Sequence, residues 1–482
     1  MSSYLENTEP PMTSNEVFER QYSASFKSKY GPLRSEENDH ELLYTNPLPH
    51  PYSVTERVDC TKHPICTIDP PGCEDADDGW RTFVENGNLY LDLHNSDPTE
   101  WITPHSNLWN DIVARVVTAY PSNRPPIHMM PHEIMNRASL MDNEYGNIKN
   151  AITIRTQIDQ TTYKPIGAVK LLFTTIRVAS THKYSYQQAA KMIESDNMIA
   201  TGLKISKALT QLRAKTTLGV KLNEVTNSYP VFTGENSEPM LYQSTPEETS
   251  MKQMVAEFAI FANSFVGEYL KIHLHGLGIF RTCNASEWLQ TLKKDIGGQE
   301  MLNKIIIEGI QADYLSKNAS HDLVGMPEYC HFTSPLRRLA DCVCHYLLKH
   351  IHLQNTIPFS NKQLDDYATN CFTFTKKIKN VQFDDLKFRF IQTINNMLNT
   401  TGNPVNISYF ISSYTGLFLN LIICRIDYHK VQISYTLRIK KYNYTGSKNT
   451  YSLPITRVCC PGKFDQGSIP ELDYAILKHY SL

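Results

Sequence analysis

The chain has 482 residues, of which 41% are hydrophobic and 20% charged, with 47 Lys and Arg against 49 Asp and Glu. That length allows two or three globular units, and the longest apolar run, around Leu417 to Cys424, is well short of the roughly 18 residues a membrane helix needs, so no membrane partner is expected. A formal net charge of -2 excludes a uniformly basic nucleic-acid binder, yet residues 371–482 hold 14 Lys and Arg against 6 Asp and Glu, a surplus of 8 that leaves -10 for residues 1–370; a basic end of this kind suits either a polyanion or an ordinary solvated face.

In chain order, residues 1–50 are rich in Ser, Glu, Asn and Pro and lack sustained periodicity, which predicts an extended or partly disordered leader with room for one short helix. Met1 to Pro11 has neither the basic flank nor the apolar stretch of a targeting signal, and a cytoplasmic location is expected. The eleven cysteines are odd in number and scattered, which favours reduced thiols, and Cys60, His63, Cys66 and Cys73 lack the paired spacing of a zinc site. Ile65 to Ile68 reads as a strand entering an acidic turn, and Trp80 to Val84 with Leu89 to Leu93 predicts a hairpin about Glu85-Asn86-Gly87-Asn88. Apolar spacings of three and four predict helices over Leu108 to Tyr120, Ser185 to Ser195, Lys252 to Leu270 and Leu336 to Ile351. Beyond Pro404 the alternating stretches Val405 to Ile411, Gly416 to Ile426, Lys430 to Ile439 and Tyr451 to Arg457 predict a small β-barrel.

Two segments carry chemistry. Between Thr67 and Gly79, Asp69, Glu74, Asp75, Asp77 and Asp78 crowd a strand end, and Pro70, Pro71 and Gly72 force a bend. An exposed acidic loop is one reading and a calcium loop another, although no glutamate stands where an EF-hand needs its twelfth ligand. The reading pursued here is a site of hard oxygen ligands for magnesium, with manganese as the alternative; two such ions roughly 4 Å apart can activate water against a phosphodiester. In the second segment, Tyr329 to Arg338, Ser334 is the expected N-cap, Pro335 the first helical residue, and Leu336, Leu339, Val343 and Leu347 an apolar stripe. Arg337 and Arg338 in a first helical turn oppose the helix dipole, which suggests a phosphate seat there, against the alternative of two ion-paired surface arginines.

Taken together these segments resemble the catalytic domain of the RNB family of ribonuclease II, ribonuclease R and the catalytic exosome subunit, with its TID…D-x-D-D signature and its later H-F-T-S-P-I-R-R-Y. Arg57-Val58-Asp59, the strand His94-Asn95-Ser96-Asp97, Met129-Met130-Pro131 with Ser139-Leu140, and Val255-Ala256-Glu257-Phe258 with Ala262-Asn263 continue the resemblance over about residues 52–395. It implies that Asp69, Asp75, Asp77 and Asp78 hold the metal, with Asp77 the residue hydrolysis depends on most. It further implies that Arg337 grips the scissile phosphate beside Arg338, Tyr120 clamps the RNA 3′ end, Tyr186 stacks on bases and ribose, and Glu257 contacts RNA. Gly79 stands where the family commonly has Ala, and Leu339 replaces the Tyr of R-R-Y.

The resulting expectation is an α+β chain. Residues 51–398 form an RNB catalytic domain with a mixed, largely antiparallel sheet flanked by helices, and 399–482 an OB-like RNA-binding barrel. Residues 1–50 form a leader too short for the cold-shock barrels usual in the family. The implied activity is magnesium-dependent 3′-to-5′ hydrolysis of single-stranded RNA to nucleoside 5′-monophosphates by a monomeric core, with a protein partner supplying the missing RNA-binding modules. The competing reading is a catalytically silent RNB-like RNA-binding regulator.

Overall fold

The computed structural model describes residues 14–214, 227–232, 238–292, 298–439, 449–460, 462–464 and 467–480. Two helices, α1 (Asn15–Tyr30) and α2 (Glu36–Tyr44), replace the extended leader predicted for this region, whose first 13 residues lie outside the described ones. The periodicity of α1 is hidden because its buried face is made of aromatics, Phe18, Tyr22, Phe26 and Tyr30, at helical spacing within an otherwise polar stretch.

The central sheet contains β1 (Val58–Pro64), β3 (Asp78–Glu85), β4 (Asn88–Ser96), β5 (Ile148–Ile158) and β6 (Pro165–Arg177), in the order β1-β6-β5-β4-β3. Only the β1–β6 pair is parallel, so the expected mixed, largely antiparallel sheet is found. The hairpin β3–β4 turns through Asn86 and Gly87 at φ of 49° and 78°, the left-handed pair that a two-residue turn between right-twisted strands requires. The short strand β2 (Thr67–Asp69) pairs in parallel with β7 (Lys183–Ser185), and Cys66 just before it exchanges two main-chain hydrogen bonds with Trp80 of β3.

Helices α3 (Asn107–Arg115) and α4 (His132–Ala138) follow β4, and α5 (Tyr186–Lys191) and α6 (Asn197–Ala214) follow β7. The small pair β8 (Tyr229–Phe232) and β9 (Pro239–Tyr242) leads into the long α7 (Pro246–Leu274), which starts with a reciprocal capping box between Thr245 and Glu248. After β10 (Leu277–Thr282), α8 (Ser286–Gln290), α9 (Gly298–Ile307) and β11 (Asp313–Lys317) come α10 (Leu339–Leu353) and α11 (Asn361–Thr401). The α3 helix stops five residues before Tyr120, the end expected from the sequence. Val116 takes φ of 65°, and the chain turns to pair with the segment before α10.

The C-terminal strands β12 (Val405–Thr415), β13 (Phe418–Ile426), β14 (His429–Arg438) and β15 (Tyr451–Ile455) form an antiparallel sheet ordered β14-β13-β12-β15, followed by α12 (Pro470–Tyr480). Two large apolar cores result, and α11 belongs to both. Leu364, Tyr367, Ala368 and Cys371 enter the core of the central sheet, whereas Phe388, Phe390, Ile391 and Ile394 enter one shared with α1 and the C-terminal sheet. None of the eleven cysteines is in a disulfide. No helix among the described residues is long and apolar enough to cross a membrane.

Candidate active site

The acidic segment becomes a candidate site because β2, β3 and the turn between them bring Asp69, Asp75, Asp77 and Asp78 near enough to feel one another's charge. Asp69 ends β2, and the parallel register sets it opposite Ser185, so Tyr186, the next residue, starts α5 beside it. Ser185 caps that helix by accepting from the Gln188 N–H at 3.1 Å, which holds Tyr186 in the first turn. Asp78 opens β3 opposite Asn95 of β4. Asp77, just outside the ladder and 2% exposed, accepts on Oδ1 from the Leu336 N–H at 2.8 Å and from Ser96 Oγ at 3.2 Å, and on Oδ2 from Arg337 Nε at 3.2 Å.

Asp77 thus joins the two sequence segments, which lie 260 positions apart. It also alters the start of the second. Residues 334–338 form an irregular turn rather than the first turn of a helix, and α10 begins at Leu339 after an extended Arg338. The Leu336 N–H, which an N-capped helix would direct to Ser334, is taken by Asp77, while Asp341 accepts from the Ser334 N–H at 2.8 Å and from Arg338 Nη2 at 2.9 Å. The predicted Ser334 cap and the dipole argument for the arginines are therefore corrected: the arginines are placed by carboxylates. Arg337 Nη2 also donates to Ser334 Oγ at 3.0 Å, and its side chain keeps 42% of its surface exposed.

Tyr120 arrives by a third route. The Thr118 N–H donates to the Arg337 carbonyl at 3.1 Å and the Leu339 N–H to the Val116 carbonyl at 2.8 Å, which aligns the segment with the arginine turn, and the Tyr120 hydroxyl donates to Asp75 Oδ2. Burial, then Asp75, raises the Tyr120 phenol, and burial, then Asp78 and Asp69, raises that of Tyr186, so both remain protonated. Glu257 stands apart. It is 2% exposed and its carboxylate is held by Arg213, with one bond of 3.1 Å. A different face of α7, with Val255, Phe258 and Ala262, borders the small void beside Asp78 and Thr333.

The electrostatics ask for a cation. Burial first, and Asp78 next, push Asp69 up to about 7; burial raises Asp78 despite Arg337 and Arg338, and raises Asp77 well above its ordinary range despite Arg337. Asp69 Oδ2 is buried without a hydrogen-bond partner. Crowded, partly unsatisfied carboxylate oxygens fit a hard divalent ion, although among the described residues no three ligating side chains already stand around one point. Asp75 and Asp77 are turned instead to Tyr120 and Arg337.

Residues 57–354 match the family model described as the RNB domain, well over half of the chain. The chain belongs to the RNB family. Among its relatives, the human exosome complex exonuclease RRP44 is 25% identical over 393 residues, covering 67% of this chain and 39% of that protein. This RNB chain thus spans about two-fifths the length of that relative. The fold is that of Mycoplasma genitalium RNase R, solved with ribose-methylated single-stranded RNA, at a TM-score of 0.66 and 16% identity over 94% of this chain and 74% of that one. It also resembles yeast Ssd1, described as a pseudonuclease, at a TM-score of 0.57 and 16% identity over 81% and 50% of the two chains. Ser96, the Leu336 N–H and Asp341, which organise the RNB site, are not singled out by the sequence reading. Ser96 lies inside a quoted strand motif, but main-chain donors leave no mark in side-chain patterns.

Proposed function

We propose that the protein is a 3′-to-5′ exoribonuclease that hydrolyses single-stranded RNA to nucleoside 5′-monophosphates with two divalent ions, magnesium in the first instance and manganese as the alternative. The observation that carries this reading is the Asp77–Arg337 contact, which joins the acidic segment to the arginine turn in a chain that keeps all four aspartates of the signature. Asp69, Asp75 and Asp78 would hold the metal together with Asp77, and such ions lower the pKa of water and offset phosphate charge. The chain's own residues do the rest. Arg337, half turned to solvent, meets a phosphate; Tyr120 and Tyr186 offer a hydroxyl and a ring on either side of the cluster to the terminal nucleotide. Stacking of this kind accepts any base, so sequence preference is weak. Glu257 acts on RNA only if Arg213 releases it. Arg338, tied to Asp341, shapes the seat from inside.

The C-terminal sheet, in a segment with a basic surplus, is assigned as an OB-like RNA-binding unit, and a protein partner as the source of further RNA-gathering surface. RRP44's description as an exosome complex exonuclease supports the protein partner, and the RNA in the RNase R structure supports single-stranded RNA as what is bound. A cytoplasmic, monomeric core completes the reading. The alternative of a silent RNA-binding regulator is favoured by one observation, the fold likeness to a protein described as a pseudonuclease. RNA labelled at its 5′ end decides between them: a magnesium-dependent ladder shortening from the 3′ end is expected, internal cuts would indicate an endonuclease, and intact RNA with retained binding the silent regulator.

A further inference from the structure

The loop that presents Tyr120 is anchored from outside the matched domain. Asp385, on α11 and 1% exposed, accepts on a single oxygen, Oδ2, from the Tyr22 hydroxyl at 2.8 Å, the Tyr30 hydroxyl and the Ser122 N–H at 3.0 Å. Two of these donors belong to α1, and the third is main chain two residues beyond Tyr120. Neighbouring bonds run the same way: Gln382 Nε2 donates to the Tyr120 carbonyl at 3.1 Å, and Arg389, which is bound to Glu19 of α1 and to Gln392 Oε1 at 2.8 Å, reaches the Ser122 carbonyl at 3.5 Å. Arg124 closes the loop by stacking over Tyr22 and Phe26 at 5.3 and 4.7 Å.

We propose that Asp385, together with Tyr22 and Tyr30 of the N-terminal helix, is a positioning centre that holds the Tyr120–Ser122 loop so that the Tyr120 hydroxyl meets Asp75. Apolar packing alone does not call for these groups. Phe18, Phe26, Phe388 and Phe464 already fill the surroundings, and phenylalanines at 22 and 30 would serve the same core. A buried carboxylate is expensive unless its lone pairs are filled. Here the two phenols, kept protonated by burial and then by Asp385 itself, fill part of its capacity, and the loop amide supplies the remaining donor on that oxygen. Oδ1 has no hydrogen-bond partner and only Arg389 Nε, 3.9 Å away, to offset its charge, so displacing the loop would remove one of the three donors on which the carboxylate depends, and the loop is favoured where it is. Asp385, Tyr22 and Tyr30 all lie outside residues 57–354, which makes the helix before the domain part of how the domain sets its tyrosine.

The proposal rests on the nuclease reading for its effect on turnover but not for its structural content, and the test separates the two. In the full chain, Asp385→Ala, Asp385→Asn and the pair Tyr22→Phe with Tyr30→Phe are compared, each with and without Tyr120→Phe. Two quantities are read: amide exchange over residues 119–123, and kcat and KM on a 5′-labelled single-stranded oligonucleotide with magnesium. Asp385→Ala should speed exchange of the Ser122 amide about tenfold and lower kcat about five- to tenfold, but less than about twofold when Tyr120 is already Phe, because the two changes remove one function. Asp385→Asn, which keeps one acceptor oxygen, should restore part of the loss. Unchanged loop exchange, or losses that multiply fully with Tyr120→Phe, overturns the proposal. Should Asp385→Ala not fold, the double phenylalanine variant carries the same comparison. Wild-type protein that binds RNA without degrading it defeats the nuclease reading instead, and loop exchange alone then decides the positioning role.

Discussion

Asp77 shows how much one side chain does here, since its two oxygens receive a main-chain N–H, a serine hydroxyl and an arginine from two distant segments. Asp77→Asn keeps an oxygen for the Leu336 N–H but removes the charge that Arg337 and a metal would see. It is expected to lower kcat by about 100-fold or more while RNA affinity stays within about threefold, measured as single-turnover hydrolysis against filter binding. A large loss of affinity with near-normal turnover would remove Asp77 from the hydrolytic role. His94, beneath the site, is a different case. Burial first, and Arg81 and Arg155 next, push it down to about 3, so it is neutral in the folded state. The unfolded chain takes up that proton below about pH 6.5, so the stability His94 contributes is complete above that pH and drains as pH falls toward 3. The stability gap between wild type and His94→Asn should therefore narrow by roughly 1.4 kcal/mol per pH unit below 6.5; urea titrations showing a constant gap between pH 7 and 5 would contradict the assignment.

At the scale of elements, the segment of residues 65–67 that leads into β2 lies so close to β3 that a side chain is excluded. A Cβ at Gly79 would come 2.4 Å from Ile65 Cδ1 and 3.2 Å from the Cys66 carbonyl. The Cδ1 methyl of Ile65 occupies the space a side chain at 79 would need. Gly79→Ala is expected to cost about 1–3 kcal/mol, and adding Ile65→Val, which deletes the clashing methyl, should recover most of it in thermal melts. Helix α10 is joined to the end of β4 by a buried charge cluster. Lys349 Nζ lies 3.0 Å from Asp97 and also meets Glu100, while Arg57 reaches both carboxylates at 2.7 Å. Burial favours a neutral acid at Asp97, yet Lys349 and Arg57 hold it well below its usual range. Lys349→Met strands buried negative charge and should cost about 3–5 kcal/mol, with Asp97→Asn in the same chain returning part of it.

For the whole molecule the decisive element is α11, whose first half seals one core and whose second half seals the other. The cores are therefore expected to lose order together. Phe388→Ala removes a fully buried ring and should cost about 3–5 kcal/mol. Amide exchange is predicted to rise in both β5 and β13; a rise confined to β13 would show that the two cores unfold separately. The same helix holds the N-terminal aromatics, so the segment expected to be an extended leader is instead a structural part of the C-terminal core.

What the sequence determined by itself was local or covalent in origin. The strand alternation of β12 to β14, the Asn86-Gly87 turn and the long runs of α7 and α10 follow from periodicity and turn chemistry, and the four aspartates with Arg337 were visible as ordered motifs. Tertiary structure alone decided what depends on contacts between distant segments. Main-chain donors such as the Leu336 N–H have no signature of their own, so the turn before α10 read as a capped helix start. Asp69 and Tyr186 become neighbours only through the parallel β2–β7 pairing, and Glu257 meets Arg213 from another helix. The aromatic face of α1 became legible as core only when α11 was there to cover it, because burial is a property of two surfaces and a sequence window describes one.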